Sequence, residues 1–134
     1  MIVVDTNVIC YHWMASPHSA SAEKALKKDP DWIAPLLWRS EFRNVLSGAV
    51  RHKLISTETA INIAEKAELQ FVGREFVVSS RAIMRLVVRS RCSAYDCEFV
   101  ALAEEQQVPL LTFDRQILRD FPALTIALDR FVRQ

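Results

Sequence analysis

Two aspartates in the sequence follow predicted strands at the position where an α/β fold gathers its functional side chains. Asp5 directly follows the apolar run Met1–Val4, and Asp114 comes shortly after Leu110–Thr112. Short apolar runs of this kind predict buried strands. In an open parallel sheet, ligands bind beyond the carboxyl ends of the strands. We therefore expect both carboxylates at that edge, where a charge beside apolar surface needs a partner or a bound cation.

Two further carboxylates, Glu41 and Asp96, are predicted on the inward sides of helices. A helical period extends from Leu36 to about His52, and Glu41 lies along the edge of its apolar face. Ser93 is the predicted cap of a later helix, and Asp96 occupies its first turn. The i, i+3, i+4, i+7 spacing places Asp96 on one face with three apolar residues. These residues are Phe99, Val100 and Ala103.

Each carboxylate also has an ordinary structural explanation. Asp5 and Asp96 could cap helices, and Asp114 could open a turn. Glu41 could form an ion pair on its own helix. Four converging carboxylates, however, would raise one another's pKa values, and a divalent cation would relieve that repulsion. An oxygen-only ligand set without a His or Cys cluster suits Mg²⁺ or Mn²⁺ rather than zinc. The arginines within reach of Glu41 are Arg39 and Arg43.

The composition is that of an ordinary globular chain. At 134 residues, with 51% apolar residues and a formal charge of +1, the chain is expected to form one domain without bulk attraction to nucleic acid or membrane. Two glycines argue against glycine-rich phosphate loops. We expect neither a signal peptide nor a membrane span. An odd number of cysteines favours reduced thiols in the cytoplasm. They are Cys10, Cys92 and Cys97.

The remaining patterns predict alternating strands and helices, which indicates an α/β fold with a mostly parallel sheet and right-handed crossovers. The predicted helices are Thr6 to about Trp13, Ser19 or Ser21 to about Lys28, one capped by Ser56, one capped by Ser79 or Ser80, and Arg115–Arg119. The further predicted strands are Trp32–Ala34, Phe76–Val78 and Leu124–Leu128. The apolar face of the helix after Leu36 is predicted to contain Trp38, Phe42, Val45, Leu46 and Ala49.

The four carboxylates lie in motifs that span nearly the whole chain. The motifs are Val3–Asn7, Ser40–Leu46, Ser93–Asp96 with the Phe99–Ala103 tail, and Leu111–Asp114. In this order and at this length, the sequence resembles PIN-domain ribonucleases, and among them the VapC-type toxins of bacterial toxin–antitoxin pairs. None of the motifs is specific when taken alone.

The resemblance implies a fold, an activity and partners. The fold would be a PIN-like three-layer sandwich, a mostly parallel sheet flanked by helices, formed by residues 1–134 as a single domain. The activity would be Mg²⁺- or Mn²⁺-dependent endonucleolytic hydrolysis of RNA by a metal-activated water. The partners would be a second copy of the chain and a small antitoxin. By resemblance, the metal-binding acids are Asp5, Glu41, Asp96 and Asp114, the neighbouring polar residues are Thr6, Asn7 and Thr112, and Asp120 is a weaker rival for Asp114.

Arginines are the candidate RNA contacts. Arg81, Arg85 and Arg89 repeat every four residues, an arrangement that either contacts a phosphate backbone or forms a solvated face. Arg43 and Arg115 flank predicted acids in the sequence. The histidines show no ligand spacing and are interpreted as surface or packed residues, and the tryptophans as core or dimer-interface residues. These residues are His12, His18, His52, Trp13, Trp32 and Trp38.

Two other functions fit parts of the pattern. Haloacid-dehalogenase-like phosphatases also begin with a strand that ends in an aspartate, but they resemble an Asp-x-Asp pattern, and position 7 here is Asn7. The other alternative is a catalytically silent PIN-like fold that binds only RNA or an antitoxin. An intact set of acids argues against it, because a silent copy has no physical reason to keep clustered charges.

Overall fold

The computed structural model describes all residues, Met1–Gln134. In chain order the elements are β1 (Ile2–Val4), α1 (Thr6–Trp13), α2 (Ser19–Lys28), β2 (Trp32–Pro35), α3 (Trp38–Arg51), α4 (Thr57–Gln70), β3 (Glu75–Phe76), α5 (Ser80–Val87), α6 (Ala94–Gln106), β4 (Leu110–Thr112), α7 (Arg115–Asp120), β5 (Thr125–Ala127) and α8 (Leu128–Arg133). The five strands form one sheet in the order β3-β2-β1-β4-β5, and every pairing is parallel.

The central strand β1 pairs with β2 on one side and with β4 on the other. Ile2 aligns with Trp32, and Val3 aligns with Leu110. Every residue of these three strands is buried. This agrees with their continuous apolar runs, because a parallel sheet is covered on both faces. The carboxyl ends of β1 and β4 therefore meet at one edge.

Helices cover the sheet in the three-layer α/β arrangement that the resemblance implies. Helix α6 contacts β1, β2 and β4, and α5 packs on α6. Helices α1 and α8 both pack against α2, and both contact β4. Helix α3 packs against α1 and α4. No helix is both long and apolar enough to cross a lipid bilayer.

Three predicted serine caps are confirmed. Ser56 accepts a hydrogen bond from the Thr59 amide, Ser79 from Ala82 and Ser93 from Asp96. Each side chain thereby satisfies one of the amides that the first turn of a helix leaves unpaired. The third cap fixes the start of α6, the helix that carries one of the predicted acids.

Several predicted boundaries and faces are wrong. Helix α2 spans Ser19–Lys28, as predicted, but neither Ser19 nor Ser21 caps it, and the Ser19 hydroxyl donates to the Met14 carbonyl. Strand β3 is Glu75–Phe76, and β5 ends at Ala127, where the unpredicted helix α8 begins. Val45 is 45% exposed rather than packed in the core. Helix α5 ends at Val87, so Arg89 lies in the following turn.

Candidate active site

Asp5 lies where β1 ends, held in the hydrogen-bonded position that its sequence context predicts. It caps α1: Oδ1 accepts from the Thr6 amide at 2.8 Å. Oδ2 accepts from the Thr112 hydroxyl at 2.7 Å, which links the ends of β1 and β4. Burial raises the pKa of Asp5 to about 7, since its two hydrogen bonds offset desolvation only in part. The negative charges of Glu41 and Asp96 add to this rise.

Glu41 is carried by α3 and points toward the same edge. Its Oε1 accepts a hydrogen bond from the Thr6 hydroxyl at 2.7 Å. Burial raises its pKa, and the nearby Asp96 charge contributes in the same direction. The ion pair considered for Glu41 does not form, because Arg39 and Arg43 bind other carboxylates. Arg39 binds Glu75 and Glu68, and Arg43 binds Glu68.

Asp96 is in the first turn of α6, where it takes part in the helix start and also lines the cleft described below. Its amide donates to the Ser93 hydroxyl at 3.1 Å. Burial raises the pKa of Asp96, the charge of Asp114 raises it further, and hydrogen bonds from Ser93 lower it. A capping role and a place beside other carboxylates are therefore compatible here.

Asp114 caps α7 beyond the end of β4. Its side chain accepts from the Ile117 amide at 3.0 Å, and its own amide donates to the Thr112 hydroxyl at 3.0 Å. Thr112 thus donates to Asp5 and accepts from Asp114, so one hydroxyl connects two acids. The rival Asp120 lies elsewhere, where it accepts from the Arg91 amide at 2.8 Å.

The four acids line a single cleft of about 310 Å³. They reach it from the end of β1, from α3, from α6 and from the end of β4. Of the three predicted polar neighbours, Thr6 and Asn7 line the cleft, whereas Thr112 is fully buried and acts through Asp5. The complete lining is Asp5, Thr6, Asn7, Cys10, Glu41, Asn44, Val45, Asp96 and Asp114.

The chemistry of this lining fits a hard divalent cation. Carboxylates with raised pKa values gain from a nearby positive charge, and the Asn7 side-chain oxygen is buried without a hydrogen-bond partner. Such oxygen donors suit Mg²⁺ or Mn²⁺. Burial and the neighbouring charges of Asp5 and Glu41 raise the pKa of the Cys10 thiol to about 12, so without a cation it stays protonated. As the side chains stand, no three acidic, histidine or cysteine residues form a coordinating group.

The candidate RNA-contact arginines fall into two groups. Arg43 is exposed but shares Glu68 with Arg39. The others are exposed and form no ion pair with a carboxylate. A free guanidinium is available to phosphate, whereas a paired one must first lose its partner. The free arginines are Arg81, Arg85, Arg89 and Arg115.

Sequence reasoning missed three residues that line the cleft. Cys10 is four residues after Thr6 on α1, and Asn44 and Val45 are three and four residues after Glu41 on α3. Side chains at these spacings share a helix face. The signal for these three residues is therefore their helical spacing from Thr6 and Glu41.

Comparisons with known proteins agree with this architecture. Residues 2–123 match the sequence model described as PIN domain. A relative, Ribonuclease VapC3 of Pyrobaculum aerophilum, is 30% identical over 92% of this chain and 96% of its own length.

Solved structures with low sequence identity share the fold. The crystal structure of FitAcB from Neisseria gonorrhoeae has a TM-score of 0.76 at 17% identity, covering 96% of this chain and 98% of that one. PAE2754 from Pyrobaculum aerophilum also has a TM-score of 0.76, at 20% identity, covering 99% and 97% of the two chains. The family match extends over nearly the whole sequence, and the relative aligns over almost all of it. The chain therefore belongs to the PIN domain family.

Proposed function

We propose that this protein is a Mg²⁺- or Mn²⁺-dependent endoribonuclease that acts as the toxin of a toxin–antitoxin pair. The observation that carries the proposal is the cleft that four carboxylates line, three of them with raised pKa values. A relative at 30% identity is named a ribonuclease, which supports RNA as the substrate. The antitoxin, and a homodimer as the working form, rest on the family resemblance of the motifs.

Asp5 and Asp96 would hold the principal cation, and Glu41 and Asp114 would complete or flank its site. A bound Mg²⁺ or Mn²⁺ supplies a Lewis acid that lowers the pKa of a water and offsets negative charge on the phosphodiester. The chain's own task is positioning. Thr6 donates to Glu41 through its hydroxyl and to Asp5 through its amide, so one residue orients two acids.

No side chain is required as a nucleophile. Cys10 is the only thiol that lines the cleft, and its pKa of about 12 leaves it protonated at neutral pH. A protonated thiol is a poor nucleophile. Direct hydrolysis, with water as the attacking group, is therefore the reaction that this lining favours.

Exposed arginines would contact the RNA backbone. Arg115 directly follows Asp114, and Arg89 lies in the turn between α5 and α6, the helix that carries Asp96. Both are free of carboxylate partners, as are Arg81 and Arg85. Contacts to phosphate supply affinity and register rather than sequence preference. The three free cysteines suit the reducing cytoplasm, where RNA is encountered.

The test is cleavage of an end-labelled single-stranded RNA by purified protein with Mn²⁺, compared with Asp96→Asn. We expect discrete fragments from the wild type and a rate lower by on the order of 100-fold or more in the variant, because a carboxylate of the proposed metal site is lost. Glu105→Gln, an exposed acid later on the same helix, should cleave as the wild type does. EDTA should abolish all cleavage.

Two results would contradict the proposal. Equal cleavage by wild type and Asp96→Asn would remove Asp96 from the site and point to a contaminating nuclease. Tight RNA binding by folded protein without cleavage, across a panel of RNAs, would favour the catalytically silent binding module.

Sequencing of new RNA ends in cells, after a short pulse of each protein, then identifies the substrate.

A further inference from the structure

Three aromatic side chains form a cluster beside the acid cleft. Tyr11, His18 and Phe113, here called the rim cluster, come from α1, from the residue before α2 and from the residue after β4. The His18 and Phe113 ring centroids are 4.4 Å apart, and those of Tyr11 and His18 are 4.8 Å apart. Tyr11 meets Phe113 edge to face at 5.6 Å. Each ring therefore contacts the other two.

Two members of the rim cluster are sequence neighbours of residues that line the cleft, one on α1 and the other just after β4. Phe113 lies between Thr112, which donates to Asp5, and Asp114, which lines the cleft. Tyr11 follows Cys10, another lining residue. Burial raises the pKa of Tyr11, and the nearby carboxylate of Asp5 contributes in the same direction.

Phe113 remains 39% exposed although two rings pack against it. The tryptophans, which are larger aromatics, do not offer such a surface. Trp32 and Trp38 are buried at 1% and 0% exposure, and Trp13 donates its indole N–H to Gln70. The other strongly exposed aromatic near the cleft, Tyr95, has no aromatic neighbour to hold its ring. Phe113 is therefore an exposed ring, next to one of the acids in the sequence, that two other rings hold in place.

We propose that the rim cluster is a stacking platform for a nucleobase next to the phosphodiester that is cut. This inference rests on the proposed ribonuclease function and deepens it. Carboxylates that hold a cation and arginines that bind phosphates contact the RNA backbone, so in these roles they do not recognise a base. An aromatic face binds any unstacked base, so the platform selects single-stranded RNA or loops over paired RNA. His18 and Tyr11 hold the Phe113 ring in place before the RNA arrives, which reduces the entropy lost on binding.

The alternative is that the cluster only packs the loop before α2 onto the end of β4. Phe113→Leu separates the two roles, because leucine keeps an apolar contact and removes the aromatic face. Phe113→Tyr restores the face. Phe131→Leu is the matched control, because Phe131 is an aromatic residue that does not line the cleft. Its ring lies under the Lys28 ammonium, which donates to the Gln134 carbonyl.

The experiment measures affinity by fluorescence anisotropy in the cleavage-deficient Asp96→Asn background. The two probes are a short single-stranded RNA and a ribose-phosphate oligomer of the same length without bases. We expect Phe113→Leu to weaken RNA binding at least about fivefold, since stacking on one aromatic is of this order. Binding of the base-free oligomer should be unchanged. Phe113→Tyr should retain RNA affinity, and Phe131→Leu should affect neither probe.

Equal RNA affinity with and without Phe113→Leu would overturn the inference, and so would equal losses on both probes, which indicate a packing or electrostatic role. If Phe113→Leu does not fold, His18→Gln, which removes one supporting ring, is measured in the same way and should weaken RNA binding selectively. Wild-type cleavage of RNA together with either overturning result leaves the ribonuclease proposal intact. Absence of both cleavage and RNA binding overturns the two together.

Discussion

At the scale of single residues, Asp5 is the acid that folding holds most tightly. It is 8% exposed, both carboxylate oxygens accept hydrogen bonds, and its pKa is still raised to about 7. Thr6 and Thr112 therefore hold in place a carboxylate whose charged form is destabilised by burial. The stability of the metal-free protein should report this cost.

Without metal, we expect the protein to lose stability as pH rises from about 4 to 7. The folded-state pKa of Asp5 exceeds its unfolded value of 3.8, so its contribution is fully present below pH 4 and is lost as pH rises through 7. Asp5→Asn removes this titration and keeps an oxygen to accept from Thr6. The free energy of unfolding of the variant relative to wild type should thus be higher at pH 8 than at pH 5, by on the order of 2 kcal/mol.

Urea denaturation in EDTA at the two pH values measures this difference. Asp129→Asn, which changes an exposed carboxylate on α8, is measured beside Asp5→Asn as the surface control. If the difference in unfolding free energy between Asp5→Asn and wild type is the same at pH 5 and pH 8, burial does not raise the Asp5 pKa.

At the scale of elements, α3 is anchored by ion pairs in which Glu41 takes no part. Arg39 binds both oxygens of Glu75, with Nε at 2.6 Å and a terminal nitrogen at 2.8 Å, and also reaches Glu68. The Trp38 indole donates to Glu75 at 2.8 Å. These bonds tie α3 to β3 and α4. Because Arg39 and Arg43 bind Glu75 and Glu68, neither of them pairs with Glu41, which lines the cleft.

We expect Arg39→Ala to destabilise the protein by about 1–2 kcal/mol, because it breaks a two-pronged pair with Glu75 that is only partly exposed. Arg43→Ala should cost less, about 0–1 kcal/mol, since Arg43 is 57% exposed and makes one bond to Glu68. Urea denaturation of both variants in the same buffer tests the ranking. Equal costs would mean that the bidentate geometry does not anchor α3.

The elements also show what the sequence could and could not predict. Apolar runs followed by Asp5 and Asp114 placed two acids at one sheet edge, and helical spacing placed Glu41 and Asp96 nearby. Those signals are local. The Arg39–Glu75 pair joins residues 36 positions apart, and no local pattern indicates it. The rim cluster joins three separate segments in the same way. Helix α8 was missed because it is short and buries only Leu128.

At the scale of the whole molecule, the cleft exists only when the fold is complete. Its four acids lie at the end of β1, on α3, on α6 and beyond the end of β4. In the sequence, the other three acids come 36 to 109 positions after Asp5. An unfolded chain cannot bring them together, so a cation that binds the cleft binds the native state preferentially. Such a ligand raises the melting temperature in proportion to the logarithm of its concentration once it exceeds its dissociation constant.

Mn²⁺ should therefore raise the Tm of wild-type protein, and Asp96→Asn should lose most of that rise. At a free concentration 100 times the dissociation constant, the added stability is about 2.7 kcal/mol. Without metal, Asp96→Asn should be at least as stable as wild type. The substitution relieves repulsion between Asp96 and Asp114, and the backbone amide of residue 96 can still donate to Ser93. Thermal scans across a Mn²⁺ series test both statements, with Glu105→Gln as the control on the same helix. An equal Tm rise in all three proteins would show that the cation binds somewhere other than the acid cleft. If Asp96→Asn is less stable than wild type but shows the same Mn²⁺-dependent rise in Tm, Asp96 acts only at the start of its helix.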